Sequence, residues 1–175
     1  MKAFALAALL ALGACAPNIP SSRWLGAPMF VVTNFDATKL SGRWYEVASF
    51  PAPFQRGCTA TVAEYTPRPD GLIGVRNQCR VAGQPNTVRQ IEGTARVTAP
   101  GRLQIRLQGV PFQGQLWVLD VSRDGRTLVL GTPSRTGGWV LRRDPTVTPE
   151  QFRAARDVFE RNGYDVAALQ RTRHK

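Results

Sequence analysis

Histidine is almost absent: the 175 residues hold one, His174, next to the last position. That excludes a Ser-His-Asp or Cys-His catalytic set inside a folded domain and a zinc-type cluster of Cys and His. Lysine is nearly as scarce, at Lys2, Lys39 and Lys175. The net charge of +11 is therefore carried by arginines scattered singly along the chain. No basic block of the kind that tracks a nucleic-acid backbone is present, so nucleic acid is not an expected partner. A weaker attraction to anionic lipid or lipopolysaccharide surfaces stays open. The N-terminal apolar run, Ala3 to Leu12, has ten residues, about half of the roughly 20 that a membrane-spanning helix needs. Internal repeats are missing, and nothing in the composition signals disorder. With 43% hydrophobic residues, the chain can bury one domain-sized core.

Met1 and Lys2 followed by that apolar run have the layout of a signal peptide. The run ends in Leu12-Gly13-Ala14-Cys15, which resembles the lipobox of bacterial lipoproteins. The resemblance implies cleavage before Cys15 and acylation of its thiol. Two or three acyl chains, at about 0.8 kcal/mol per buried CH₂, would anchor the chain firmly. An ordinary signal peptide with a cysteine at that place is the alternative. Ala16 stands where an aspartate would retain a lipoprotein at the inner membrane, so the same resemblance points to the outer membrane, facing the periplasm. Ala16 to Ser22 is polar and proline-rich and reads as a tether. The expected organisation is signal peptide 1–14, lipidated tether 15–34 and folded domain 35–175. With Cys15 lipidated, Cys58 and Cys79 remain. In an oxidising compartment an even remainder reads as one disulfide, two reduced thiols being the alternative.

From Arg43 onward, short strand patterns alternate with turn signals. Strands are expected at 43–50, 59–66, 72–81, 87–98, 102–108, 115–121, 127–131 and 139–143. Pro67-Arg68-Pro69-Asp70-Gly71, Pro100-Gly101 and Arg123-Asp124-Gly125 punctuate them. Leu103, Ile105 and Leu107 alternate with Gln104, Arg106 and Gln108, the pattern of a half-buried strand. Eight such strands, mostly hairpin-connected, suggest an antiparallel sandwich or an up-and-down barrel. The period then changes. Thr148-Pro149-Glu150-Gln151 forms a capping box. Phe152, Ala155, Val158 and Phe159 make one apolar stripe. Asn162-Gly163 ends this helix, and a further short turn is expected from Asp165 to Leu169. A single amphipathic helix after eight strands must pack on the outside of the sheet.

Gly42-Arg43-Trp44-Tyr45-Glu46 resembles the Gly-X-Trp motif of lipocalins. Phe54 to Cys58, Tyr65, Asn77 and Cys79 resemble the bacterial lipocalin and apolipoprotein D group, as do Ile91 to Ala95, Trp117 to Asp120 and Trp139 to Arg143. The likeness runs from Phe35 to Leu169 and implies a bacterial outer-membrane lipocalin. The expected fold is thus all-β, an eight-stranded antiparallel up-and-down barrel with one C-terminal α-helix outside. In that family the motif tryptophan plugs the closed end and an arginine from the last strand stacks on it, roles that fall to Trp44 and Arg143, with Gly42 structural beside them. The chain departs from the family at its second motif. Pro133-Ser134-Arg135-Thr136-Gly137-Gly138 stands there without the usual tyrosine.

A closed eight-stranded sheet encloses room for side chains or one small ligand. Alternation together with the resemblance nominates Tyr65, Leu103, Ile105, Leu107, Trp117, Leu119 and Trp139 as its lining, with Phe54 near the mouth. A solid core made of the same residues is the structural alternative. Glu46 shares parity with Trp44 and points inward, where a carboxylate needs an arginine or a hydroxyl beside it. It serves either as a handle for a ligand head group or as a brace of the barrel base, and Asn77 has the same two readings. The resemblance supplies the ligand class, a fatty acid or lysophospholipid; the residues alone say small and largely apolar. No cofactor, metal or catalytic residue is implied. The alternatives are docking to lipopolysaccharide or another envelope protein through basic residues and, more remotely, a lipocalin-like enzyme.

Overall fold

The computed structural model of the chain describes residues 28–174. The expected signal peptide, Cys15 and most of the tether lie outside the described residues. Eight antiparallel strands follow one another: β1 (Gly42–Ser49), β2 (Cys58–Pro67), β3 (Ile73–Val81), β4 (Gln84–Ala99), β5 (Arg102–Leu107), β6 (Gly114–Val121), β7 (Thr127–Gly131) and β8 (Gly138–Arg142). Each pairs with its sequence neighbour, and β8 returns to β1, so the sheet closes on itself. Closure removes free edges from an otherwise exposed antiparallel sheet.

The strand ends fall where the turn chemistry demands. Gly71, Gly83, Gly101 and Gly125, one in each of four hairpins, all have positive φ, which a residue without a Cβ adopts freely. At Gly101 there is a second reason: Val32 runs directly over it, and its N–H donates to Val118 O at 2.9 Å. Between β3 and β4 the turn is tighter than expected. Val81 pairs with Gln84 and Arg80 with Val88, so residues 85–87 bulge out and the strand starts earlier than Thr87.

Helix α1 (Pro149–Arg161) carries the capping box in full: Thr148 Oγ1 accepts from Gln151 N, and Gln151 Oε1 accepts from Thr148 N. Its Ala155, Val158 and Phe159 pack on the outside of the barrel against Val47, Phe50, Leu119, Val129 and Val140. Gly138 clears the way for it, since a Cβ there would meet the Phe159 ring at 2.7 Å. The departing second motif is held by this helix as well. Arg135 Nε donates to Asn162 O at 2.6 Å, at the helix C-terminus where a cation is favoured, and Tyr164 Oη donates to Thr132 O at 2.8 Å. Within the stretch expected to be tether, Met29 packs into the cluster under α1 and Phe30 N donates to Asn162 Oδ1 at 2.7 Å.

One strand among the described residues was not foreseen. The short strand β9 (Gln170–Arg171) pairs with Ala48 and Ser49 of β1, beyond the point where β2 has left it. Thr172 N then donates to Val47 O at 3.0 Å, and Ala60 N, at a bulge with positive φ, donates to Arg173 O at 2.6 Å. The tail thereby fills the seam between β1 and β2.

Candidate functional site

Inside the barrel the side chains fall into two levels. At the closed end Leu40, Trp44, Ala95, Leu103, Val118 and Leu128 pack solidly. Trp44 is wholly buried, its Nε1 donating to Leu40 O at 2.7 Å. The Arg143 guanidinium lies 3.6 Å from the Trp44 ring centroid and donates to the carbonyls of Lys39, Ser41 and Arg43. This is the expected plug and stack. Its cation is engaged on one side by the ring and on the other by three main-chain oxygens.

Above that floor lies a cavity of about 700 Å³, in the range of small-molecule sites. Its wall is built from Ala63 and Tyr65 of β2, Val75 of β3, Ile105 and Leu107 of β5, Leu116 of β6, Leu130 of β7 and Leu141 of β8. It reaches the surface between the β1–β2 and β5–β6 loops, where Phe54 and Phe112, 49% and 71% exposed, stand on the rim. A hollow of similar volume on the outer face of β3–β5 is a different kind of place. Arg76 there pairs with Glu92 at 3.0 Å, and the half-exposed charges satisfy each other in solvent.

The interior is not wholly apolar. Glu46, 4% exposed, faces the cavity. Its Oε1 accepts from Ser49 Oγ at 2.8 Å and Thr172 Oγ1 at 2.6 Å; its Oε2 accepts from Gln55 Nε2 at 2.5 Å. Gln55 in turn accepts from Trp139 Nε1 at 2.8 Å. Burial is the larger influence on the carboxyl and pushes its pKa up, against the pull of the donors from Thr172, Gln55 and Ser49. So the hydroxyls that a buried acid requires are present, and the cationic pull on it comes from His174, not from an arginine of the described residues. Thr61 of β2 also lines the cavity; it is 6% exposed and its hydroxyl has no hydrogen-bond partner.

Of the nominated lining residues, the cavity brings together Phe54, Tyr65, Ile105, Leu107 and Trp139. Three are placed elsewhere. Leu103 points inward but belongs to the packed floor. Trp117 and Leu119 are corrected to the outer face: Leu119 lies under α1, and Trp117 carries the Arg102 guanidinium 4.6 Å from its ring centroid. The inward residues of β6 are Leu116 and Val118. A one-residue change of parity moves every side chain to the other face, and both faces of β6 are apolar because a helix covers the outer one. Alternation therefore carries no signal on that strand. Ala63, Thr61 and Gln55 were missed. The first two follow from Tyr65 by stepping back two residues at a time along β2, whereas Gln55 sits in a loop that no periodicity reaches.

Cys58 is disulfide-bonded to Cys79, with Cα atoms 5.4 Å apart, joining β2 to β3. Asn77, on the same stretch of β3, lines the cavity.

Comparison with known proteins agrees with this architecture. Residues 35–174 match the family model described as a lipocalin-like domain. The chain is 34% identical over 169 residues to the outer membrane lipoprotein Blc of Escherichia coli K12, covering 95% of this chain and 92% of that protein. It is 33% identical over 155 residues to temperature-induced lipocalin-1 of Arabidopsis thaliana, with 82% of each covered. Among solved structures, lobster apocrustacyanin A1 superimposes with a TM-score of 0.66 at 14% identity, over 85% of this chain and 93% of that one. That last likeness concerns the fold alone. A closed eight-stranded barrel plugged by Trp44 and Arg143, with the family match spanning nearly all described residues, places the chain in the lipocalin family.

Proposed function

We propose that this protein binds and stores or carries a small lipophilic ligand, of the fatty-acid or lysophospholipid class, in its barrel, and that acyl chains on Cys15 hold it at the bacterial outer membrane, facing the periplasm. The observation that carries the reading is the cavity of about 700 Å³ with its largely aliphatic wall and aromatic rim. Such a wall gains roughly 25 cal/mol for each Å² of apolar surface that a ligand withdraws from water. The outer-membrane address is supported by the Leu12-Gly13-Ala14-Cys15 sequence and by the likeness to the outer membrane lipoprotein of Escherichia coli. No catalytic role is assigned to any residue of the cavity.

The test is native mass spectrometry of the chain carrying Cys15→Ser, followed by organic extraction and displacement by a fluorescent fatty acid. We expect a retained lipid and saturable displacement. Ala63→Phe places a ring in the cavity and weakens probe binding at least tenfold, whereas Trp117→Ala, outside the barrel, leaves it within twofold. A chain that holds nothing and ignores a panel of fatty acids and lysophospholipids overturns the reading and favours docking to another envelope component. That alternative is recognised by loss of binding at high salt.

A further inference from the structure

The aliphatic wall explains the affinity of the cavity for a hydrocarbon chain but not Thr61. A hydroxyl withdrawn from water without a partner is costly, and the Thr61 hydroxyl is in that position, 6% exposed, unpartnered and lining the cavity. The Glu46 carboxylate, on the adjoining strand, lines the same cavity. Tyr45 of β1 pairs with Val62 of β2, and Glu46 and Thr61 are the next residues along each strand, both lining the cavity. A carboxylate has about four acceptor positions. Two donors occupy Oε1 of Glu46 and one occupies Oε2, which leaves capacity on Oε2. Ser49, Gln55 and Thr172 hold the carboxylate in place, so it needs no further brace. The same hydrocarbon-lined space thus holds one hydroxyl that can donate and one acceptor with a free lone pair.

We infer that Thr61 and Glu46 form a subsite for an uncharged hydroxyl on the ligand's aliphatic chain, which donates to Glu46 Oε2 and accepts from Thr61 Oγ1. The polar group has to be uncharged. Glu46 is the only acid among the described residues lining the cavity, and no lysine or arginine lines it. An anionic head at this depth would meet like charge and no cation in the cavity wall, His174 lying behind Glu46 outside the lining, in surroundings where an unpaired charge is strongly disfavoured. A fatty acid consequently enters tail first and keeps its carboxylate at the rim. The level of the subsite favours a hydroxyl within the buried stretch. Trp44 lies two residues below Glu46 on β1, and Tyr65 four below Thr61 on β2, with aliphatic wall between.

This inference rests on the carrier reading, and one titration separates the two. Purified chain carrying Cys15→Ser is loaded with a fluorescent fatty acid, which is displaced by octadecanoate, by octadecanoates hydroxylated at successive positions, and by a long 1-alkanol. At one position the hydroxylated chain binds at least as tightly as the plain one. Thr61→Val then weakens that ligand about tenfold, the loss of roughly one neutral hydrogen bond, and leaves octadecanoate within twofold. Thr61→Ser restores the preference. The hydroxylated chain that responds tells an in-chain from a terminal hydroxyl. If Thr61→Val changes hydroxylated and plain chains alike, the subsite is wrong while the barrel remains a carrier. If no chain displaces the probe from the unsubstituted protein, the carrier reading fails first. Because the Thr61 hydroxyl bonds no other group of the protein, Thr61→Val is expected to fold as stably as its parent, and thermal unfolding checks that a lost preference is not a lost fold.

Discussion

Trp44→Ala is expected to lower stability by roughly 3–5 kcal/mol, the range for truncating a large aromatic side chain in a packed interior. The residue is wholly buried among Leu40, Leu103, Val118 and Leu128, so little can collapse into the space it leaves. Two further losses accompany the volume. Leu40 O loses the indole N–H that it accepts from, and the Arg143 guanidinium, 3.6 Å from the ring centroid, loses its aromatic face. A cation on a shielded tryptophan contributes about 1–2 kcal/mol. A double-mutant cycle with Arg143→Met should return coupling of that size. Chemical denaturation is the measurement, read as a midpoint change at constant slope. A loss below 1 kcal/mol would mean that the closed end is held by something other than this plug.

Replacing both cysteines with serine (Cys58→Ser, Cys79→Ser) is expected to cost about 3 kcal/mol, because the bond closes a loop of 21 residues and removes that freedom from the unfolded chain. At the scale of this domain each kcal/mol shifts the midpoint by roughly 2–4 °C, so the melting temperature should fall by about 6–12 °C. The site of the bond sharpens the expectation. β2 and β3 are already paired over Val62–Pro67 and Ile73–Gln78, deep in the barrel, whereas the disulfide lies beyond the bulge at Ala60, where the ladder is broken. Reduction should therefore loosen the rim end of this hairpin first. Amide exchange should rise at Cys58, Thr59, Arg80 and Val81 before it rises at Val75. Uniform acceleration along both strands would show that the bond acts only through the unfolded state.

The fold was legible because its punctuation is chemical and local. Pro67 to Gly71 and Pro100-Gly101 are turns in any context, and Thr148 with Gln151 caps a helix from within four residues. The Trp44 and Arg143 pair was legible only through the family resemblance, since nothing local links two residues so far apart in the chain. The cavity was legible where one face of a strand is wet, as at Ile105 and Leu107 with Arg106 between them. It was illegible on β6, where α1 makes the outside as apolar as the inside and Trp117 and Leu119 look like lining. Glu46 gave itself away by parity with Trp44. Its partners did not, because Gln55 and Thr172 come from a loop and from the tail, and only the closed seam brings them to it. Alternation back from Tyr65 puts Thr61 on the inner face of β2, but a threonine on a strand is ordinary until its surroundings are known to be dry.

The way the barrel is sealed also sets how the chain has to fold. Each hairpin from β2 to β8 is a local event, but the hydrogen bond from Arg143 to the carbonyl of Arg43 spans 100 residues, and the β1–β8 ladder joins strands nearly as distant. Loop-closure entropy has to be met before those contacts return anything. Until they form, β1 and β8 are open strands, able to pair with another molecule as readily as with each other. Ring closure is thus expected to be the slow step, and refolding yield should fall as protein concentration rises. Competition between the two encounters, one within the chain and one between chains, is the kinetic counterpart of a sheet that in its finished form has no edge to offer.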